Sequence, residues 1–463
     1  MSSPHYHSTR GQAPELDFLG AATAGLAADG GLYLPKSWPQ FSPAQICSWQ
    51  SAPYHAIAEQ VLEPLVGDAM PVAALERCIS RGLAHFADPE ITALRQLDER
   101  TWLLELFHGP TLAFKDVALQ FLGQIFDYAL GQQQRRATIV GATSGDTGSA
   151  AIAGCVGCAN LDVFILYPHG GPSAIQRRQM TTVAAPNVHV IAVEGSFDEC
   201  QAIVKALFND PQQRAALNLT AVNSINWARI AAQIVYYFVA AVRLGAPAVA
   251  PSFVVPTGNF GNIFAGFAAL QMGLPIAKLA AATNRNDAVH RFMSQGVIAP
   301  QPMQASLSPS MDIQVPSNLE RLLFLLADGD GAAVRSIMAA RDLRVSSHAL
   351  GKVRQYFTSA AVDDAQTLRT MRETYATTGI ILDPHTAVGV AAARTLRREL
   401  PDPVVCLACA HPAKFPETVE RALGQPMALP SAVAALKDLP ERVTILPPDL
   451  ARITQFISER RQA

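Results

Sequence analysis

The apolar residues of this chain change their spacing near Thr101. From there, short runs of aliphatic, β-branched and aromatic residues ("TWLLELF", "ATIVGAT", "LDVFILYP", "NVHVIAVEG", "SFVVPTGN" and "PVVCLACA") alternate with stretches of helical periodicity, such as 198–207 and 227–244. This alternation predicts parallel strands joined by helical crossovers. The runs are apolar at nearly every position, as strands covered on both faces require. Residues 1 to about 93 differ. Short amphipathic runs are separated by Pro35, Pro39, Pro43, Pro53, Pro64 and Pro71, which predicts an irregular, mainly helical region. Residues 302–320 are polar and rich in proline and serine, and predict a long loop of the kind that often carries function. From about Gln425 the chain reads as a smaller appended segment. The expected division is an N-terminal region, 1–93, and an α/β core, 94–463, with that appendage.

Composition narrows the function classes. With 463 residues, 49% hydrophobic and 16% charged, the chain can build sizeable cores and does not read as disordered. A net charge of −2 offers no field for nucleic acid or an anionic membrane. The basic pairs Arg135-Arg136, Arg177-Arg178 and Arg397-Arg398 are isolated and read as solvated. The longest apolar stretch, 230–242, is interrupted by Gln233 and closed by Arg243, short of the roughly 20 residues of a membrane span. A buried helix is expected there. The first residues, "MSSPHYHSTRG", lack the apolar segment of an export signal, so the expected compartment is the cytoplasm, with reduced thiols. Cys155 and Cys158 form one C-x-x-C among small apolar neighbours and read as two packed thiols rather than a redox or zinc pair. His5 and His7 lie in a polar tail, and no metal is expected.

Three glycine-containing turns follow predicted strands. In "ATIVGATSGDTGSAAIAG" a strand ends near Val140 and a helix starts near Thr147, so unpaired N–H groups and the hydroxyls of Ser144 and Thr147 suit a carboxylate or phosphate. Asp146 fits such a site only if its own carboxylate is engaged elsewhere; a simple helix cap is the alternative. In "FVVPTGNFGNIFAGFAAL" the turn Gly258-Asn259-Phe260-Gly261-Asn262 has neither dinucleotide-fingerprint nor P-loop spacing, yet it offers the same close backbone approach to a phosphate. In "VVCLACAHPAKF" a strand ends at Cys409. Ligands of open α/β sheets bind beyond the carboxyl ends of strands, so the three turns are expected to converge. In "FHGPTLAFKDVALQFLG" the lone Lys115 stands among apolar residues where a helix begins. It must either snorkel to water or serve as a dry amine. Two anion-holding turns, a lysine and no nucleotide motif fit pyridoxal phosphate, which needs a phosphate cradle, a Schiff-base lysine and a partner for its ring nitrogen. Burial lowers a lysine pKa and yields the neutral amine this chemistry uses.

These motifs, with "STRG", "GLAADGGLYLP", "NVHVIAVEGSFDECQ", "NSINWARIAAQIVYY", "ATNRND", "SPSMDIQVPSNLERLLF", "GIILDPHTAVG" and "AHPAKF", run in order through nearly the whole chain. Together they resemble the threonine synthases of the long bacterial and fungal type. The resemblance implies a fold type II, tryptophan synthase β-like pyridoxal-phosphate enzyme, with two open, twisted, mostly parallel sheets, flanking helices and an N-terminal mainly helical region. It implies that Lys115 carries the cofactor and that Gly258, Asn259, Phe260, Gly261 and Asn262 hold its phosphate. Thr143, Ser144, Gly145, Asp146 and Thr147 are implied to face the substrate α-carboxylate. The family usually has threonine at the ring nitrogen, where this chain has Cys409; a thiol donates weakly, whereas a thiolate would favour a protonated ring. The implied reaction is O-phospho-L-homoserine plus water to L-threonine plus phosphate. Lys115 would remove the Cα and then the Cβ proton, phosphate would leave Cγ, and water would add at Cβ. Arg229, Asn226 and Lys414 are the candidates for the leaving phosphate, Arg229 favoured for its forked donors. The alternatives are a helix-surface ion pair for Arg229 and a solvated lysine for Lys414. His108 either orients a phosphate or is a packed, hydrogen-bonded residue. A phospho-lyase releasing a 2-oxo acid and ammonia, or an inactive metabolite-binding relative, are the rival readings. The expected partner is a small molecule, not nucleic acid or membrane, and the expected assembly a monomer or homodimer.

Overall fold

A computed structural model describes residues 4–143, 145–340 and 343–462. Two sheets form its centre. The larger has six strands in the order Phe357–Ala361, Lys278–Thr283, Ser252–Pro256, Val404–Ala408, Thr101–Glu105 and Ala93–Gln96. All are parallel except the last, an antiparallel edge. The smaller has five parallel strands in the order Thr444–Leu446, Val188–Val193, Leu161–Pro168, Ala137–Ala142 and Leu219–Thr220. The parallel strands are those expected from the alternating pattern, and their division between two mostly parallel sheets is that implied by the resemblance. The continuous apolar runs follow from burial on both faces: every residue of Val404–Ala408 is buried, as are Leu161 to Tyr167.

All six apolar runs form strands, and the two expected helices are Phe197–Asn209 and Trp227–Arg243. Four further strands of the parallel arrays lie outside those six runs. One is "KLAAAT" at Lys278–Thr283: alanine favours helix, yet Leu279 to Ala282 lie fully buried between two strands. Small side chains there admit the helix Pro384–Thr395 against the sheet. The N-terminal region is mainly helical but also pairs Tyr6–Ser8 with Tyr33–Pro35. The C-terminal segment, expected as an appendage, adds the edge strand of the smaller sheet, and Ile453 and Ile457 of its last helix join that lobe's core.

The long apolar stretch is the central helix Trp227–Arg243, buried at every position from Trp227 to Val242. Among the described residues no helix is long and apolar enough to cross a membrane. Cys155 and Cys158 are buried free thiols packed under this lobe.

Two helices carry the site. Lys115–Gln132 begins at Lys115, and Asp146–Cys155 begins at Asp146. They cross through glycine: a Cβ on Gly123 would lie 1.9 Å from the Gly154 carbonyl oxygen, and one on Gly154 would lie 2.3 Å from that of Leu119. Backbone blocks both positions, so no side-chain rearrangement relieves the clash. Gly123→Ala is expected to lower the unfolding free energy by about 1–3 kcal/mol through overpacking, read by denaturant unfolding. A variant as stable as wild type would show that the helices can part freely.

Candidate active site

The Lys115 helix is entered through a turn tied by its own acid. The Asp116 carboxylate accepts from Thr111 N at 2.9 Å and Thr111 Oγ1 at 2.6 Å. The same turn pairs with the segment after Val404–Ala408: Phe114 N donates to Cys409 O at 2.8 Å and His411 N to Leu112 O at 3.0 Å. Lys115 is thereby set beside Cys409, and it is buried rather than snorkelling. Burial pushes its amine below the ordinary lysine range; Asp146 opposes this, while Lys414 and Arg229 reinforce it. Burial likewise drives the Cys409 thiol well above its ordinary value, with Asp383 adding to the effect and Lys115 opposing it. Burial thereby favours the Cys409 thiol over its thiolate.

Asp146 is the electrostatic centre. Its Oδ1 receives Lys414 Nζ at 2.9 Å and Gln176 Nε2 at 2.9 Å. Its Oδ2 receives Ser310 Oγ at 3.1 Å and lies 3.6 Å from Lys115 Nζ. Burial alone would raise this carboxyl, but Lys414 first, with Lys115 and Gln176, holds it well below the usual carboxylate range. The carboxylate is thus engaged, which removes the objection to an anion at this turn. Lys414 is fully buried, with Nζ also donating to Thr111 O at 2.7 Å, so it is not a solvated lysine. Thr143 Oγ1 accepts from Gly145 N at 3.0 Å and Gly148 N at 2.9 Å, shaping the helix start. Gly145, at φ 149°, has no room for a Cβ against the Gln176 amide. Thr147 follows in the first helical turn, and Ser144 lies outside the described residues.

The Gly258–Asn262 turn faces the same crevice. A Cβ on Gly258 would meet Ser310 O at 3.0 Å, and one on Gly261 would meet Asn318 Nδ2 at 3.2 Å. Phe260 takes the left-handed conformation at φ 64°, turning the chain into the helix Gly261–Gln271. Tyr236 and Tyr237 hydroxyls donate to Asn262 Oδ1 at 2.5 and 3.0 Å, which leaves Asn262 Nδ2 buried without a partner. A glycine cradle, a helix start and an orphaned amide donor fit a phosphate. Asn318 donates to Asn259 O from N at 3.1 Å and from Nδ2 at 3.0 Å. The buried Arg321 guanidinium holds Asn318 Oδ1, and it also donates to Ile225 O at 2.6 Å and Tyr33 O at 3.0 Å. Thr9 and Arg10 of "STRG" bind the neighbouring Glu320.

Arg229 is buried, not a surface ion pair. Its Nη1 donates to Val222 O at 2.9 Å, its Nε has no partner, and among the described residues no carboxylate pairs with it. Burial pushes its pKa down to about 10. The side chain of Asn226 caps Trp227–Arg243 through Ala228 N at 2.9 Å and donates to Ala22 O at 2.7 Å. His108 pairs with Glu105 at 3.0 Å, away from Asp146. Ser310, Asp383, His385 and Gln176 were not singled out from the sequence. The loop 302–320 and the motif "DPHT" were the signals available. A hollow of about 80 Å³ lined by Asp98, Arg100 and Arg397 lies at the amino ends of Thr101–Glu105 and Val404–Ala408, opposite Lys115, and takes no part.

A buried lysine at a helix start and a glycine turn fit for a phosphate, beside two mostly parallel sheets, have the features of a fold type II pyridoxal-phosphate enzyme. The profile of the family described as "Pyridoxal-phosphate dependent enzyme" matches residues 89–410. Profiles for the threonine synthase N terminus and C-terminal region match 5–83 and 386–457. The threonine synthase of Pseudomonas aeruginosa is 52% identical over 98% of both chains. The structure of PLP-bound threonine synthase from Brucella melitensis covers 100% of both chains at 46% identity with a TM-score of 0.97. The yeast threonine synthase structure covers 99% of both at 39% identity and 0.94. This chain belongs to the threonine synthase family. It is a pyridoxal-phosphate-dependent lyase acting on a small-molecule substrate.

Asp146 has a folded-state pKa below its unfolded one, so the stability it contributes is complete above the unfolded value and is lost as pH falls below about 4. Lys414→Met removes its closest cation and is expected to cost about 3 kcal/mol and to move this acid loss to higher pH. Urea unfolding between pH 7 and 3 reads both effects. Identical acid profiles for the two proteins would show that Lys414 does not hold the carboxylate.

Proposed function

We propose that the Lys115 crevice converts O-phospho-L-homoserine and water to L-threonine and phosphate. The observation that carries this reading is Arg229, a buried guanidinium with a free donor and, among the described residues, no acid partner, whose charge is felt at Lys115. An isolated buried cation is costly, and an anionic group on the substrate offsets that cost. In this reading Gly258, Asn259, Phe260, Gly261 and Asn262 hold the cofactor phosphate, and Cys409 faces the ring nitrogen with its S–H. The turn 143–147 receives the α-carboxylate through first-turn N–H groups. Arg229 receives the leaving phosphate. Asn226 fixes the start of the Arg229 helix, and Lys414 neutralises Asp146, so neither is assigned as a direct phosphate ligand. The bound cofactor supplies an electron sink for negative charge on the substrate carbons. Lys115, its amine pushed by burial toward the uncharged form, takes the proton from Cα, gives it up before taking the one from Cβ, and later returns protons to carbon. Arg229 stabilises the departing dianion. The division into a 1–93 region and a two-lobed core is part of the same proposal. Seven unpaired cysteines support a reducing, cytoplasmic setting.

The test is the purified holoenzyme with O-phospho-L-homoserine. Threonine and phosphate in equal amounts support the reading; 2-oxobutyrate as main product supports the phospho-lyase alternative. Lys115→Ala is expected to stay folded by circular dichroism, to make no threonine, and to retain no borohydride-fixed cofactor. A reduced adduct mapped to another lysine overturns the assignment. Arg229→Met is expected to raise KM about 10- to 100-fold, the loss of charge-assisted hydrogen bonds, with the cofactor's visible band unchanged. An unaltered KM assigns the phosphate elsewhere.

A further inference from the structure

The long loop places a second functional group at the reacting amine. We propose that Ser310 is a catalytic residue that aims the Lys115 amine and couples it to the Asp146 carboxylate. The proposal rests on Lys115 as the proton carrier. Lys115 Nζ donates to Ser310 Oγ at 3.3 Å, and Ser310 Oγ donates to Asp146 Oδ2 at 3.1 Å. The carboxylate has no proton to give, so the hydroxyl hydrogen points at Asp146 and the hydroxyl lone pairs are left for Lys115.

The consequences are chemical. An amine that anchors one N–H is no longer a free rotor, and its lone pair sweeps a restricted direction. When that lone pair takes the substrate's Cα proton, the electron pair stays on carbon and the new ammonium makes a stronger, charge-assisted bond to Ser310. Ser310 keeps its own proton throughout. The charged groups facing Lys115 are Asp146 and Lys414, with Arg229 on the central helix and Cys409 beyond the strand. Asp146 is the only acid among them, and Ser310 is the hydroxyl that joins it to the amine.

The surroundings hold Ser310 in register. Its N–H donates to His385 Nε2 at 3.2 Å, which requires the imidazole proton on Nδ1; there Asp383 Oδ1 accepts at 2.8 Å. Asp383 Oδ2 also accepts from Thr386 Oγ1, which in turn accepts from Cys409 N at 3.1 Å. On the loop side, Asp312 Oδ1 accepts from Asn284 Nδ2 at 2.8 Å, Asn286 Nδ2 at 2.9 Å and Ser306 Oγ at 2.6 Å. His385 and Asp312 are positioning residues. Ser310 itself is half-buried beside an exposed Pro309, so removing its hydroxyl opens no core cavity.

The experiment compares wild-type, Ser310→Ala and Ser310→Thr holoenzymes with O-phospho-L-homoserine across pH. The pH at which the cofactor's visible band titrates is recorded alongside. For Ser310→Ala, kcat is expected to fall about 10- to 100-fold, as for an impaired general base, with KM nearly constant. The acid limb of kcat should move to lower pH, because the ammonium has lost an acceptor, and the band titration should move with it. Ser310→Thr, which keeps the hydroxyl, should restore most of the rate. Wild-type kcat and pH limbs in Ser310→Ala, or equal losses in the alanine and threonine variants, overturn the role of Ser310. Those results beside a wild type that forms threonine, and an inert Lys115→Ala, leave the reading of the site itself intact.

Discussion

Two helices start in the crevice and touch eight residues further on, with glycine on both sides of the contact. Gly123 is eight residues beyond Lys115, and Gly154 is eight beyond Asp146. Each segment is about 12 Å of α-helix, so the crossing acts as a common pivot for both leading residues. Backbone-to-backbone contact there leaves no slack for a side chain to take up. The 3.6 Å separation of Lys115 and Asp146 depends on it. Every electrostatic feature of the site follows from that spacing, because Coulomb and hydrogen-bond energies in a dry interior change steeply over an ångström.

With that geometry set, the charges pair unevenly. Asp146 answers two amines, Lys115 and Lys414, whereas among the described residues no carboxylate pairs with Arg229. A buried guanidinium left so in a dry interior attracts an anion, and both the cofactor and a phosphorylated amino acid are anionic. Burial pushes the Lys115 amine toward its uncharged form. Asp146 opposes that depression without overcoming it.

The N-terminal region acts on the site from a distance. Arg321 ties Tyr33 to Asn318, and Asn318 holds the Asn259 carbonyl of the Gly258–Asn262 turn. Thr9 and Arg10 grip Glu320 one residue away. The motifs "STRG" and "GLYLP", which carry no reactive group of their own, therefore brace that glycine turn. A guanidinium whose donors all reach carbonyl or amide oxygens of separate segments fixes their relative positions more firmly than apolar packing would.

Much of the architecture was legible in the amino-acid order. Apolar runs covered on both faces announced six strands, and the glycine turns announced their carboxyl ends. Lys115 stood out as a misfit in its own helix, and Cys409 as the residue closing a strand. "KLAAAT" was not legible as a strand, since alanine carries helix propensity and its role there is to be small between layers. Lys414 read either as a phosphate ligand or as a solvated side chain, and Ser310 and His385 were not read at all. The strands, turns and helix starts set by neighbouring residues were determined by the chain alone. Which charges meet, and which one is left without a partner, is decided only when distant segments pack. Burial then strips away the water that would have made those charges independent.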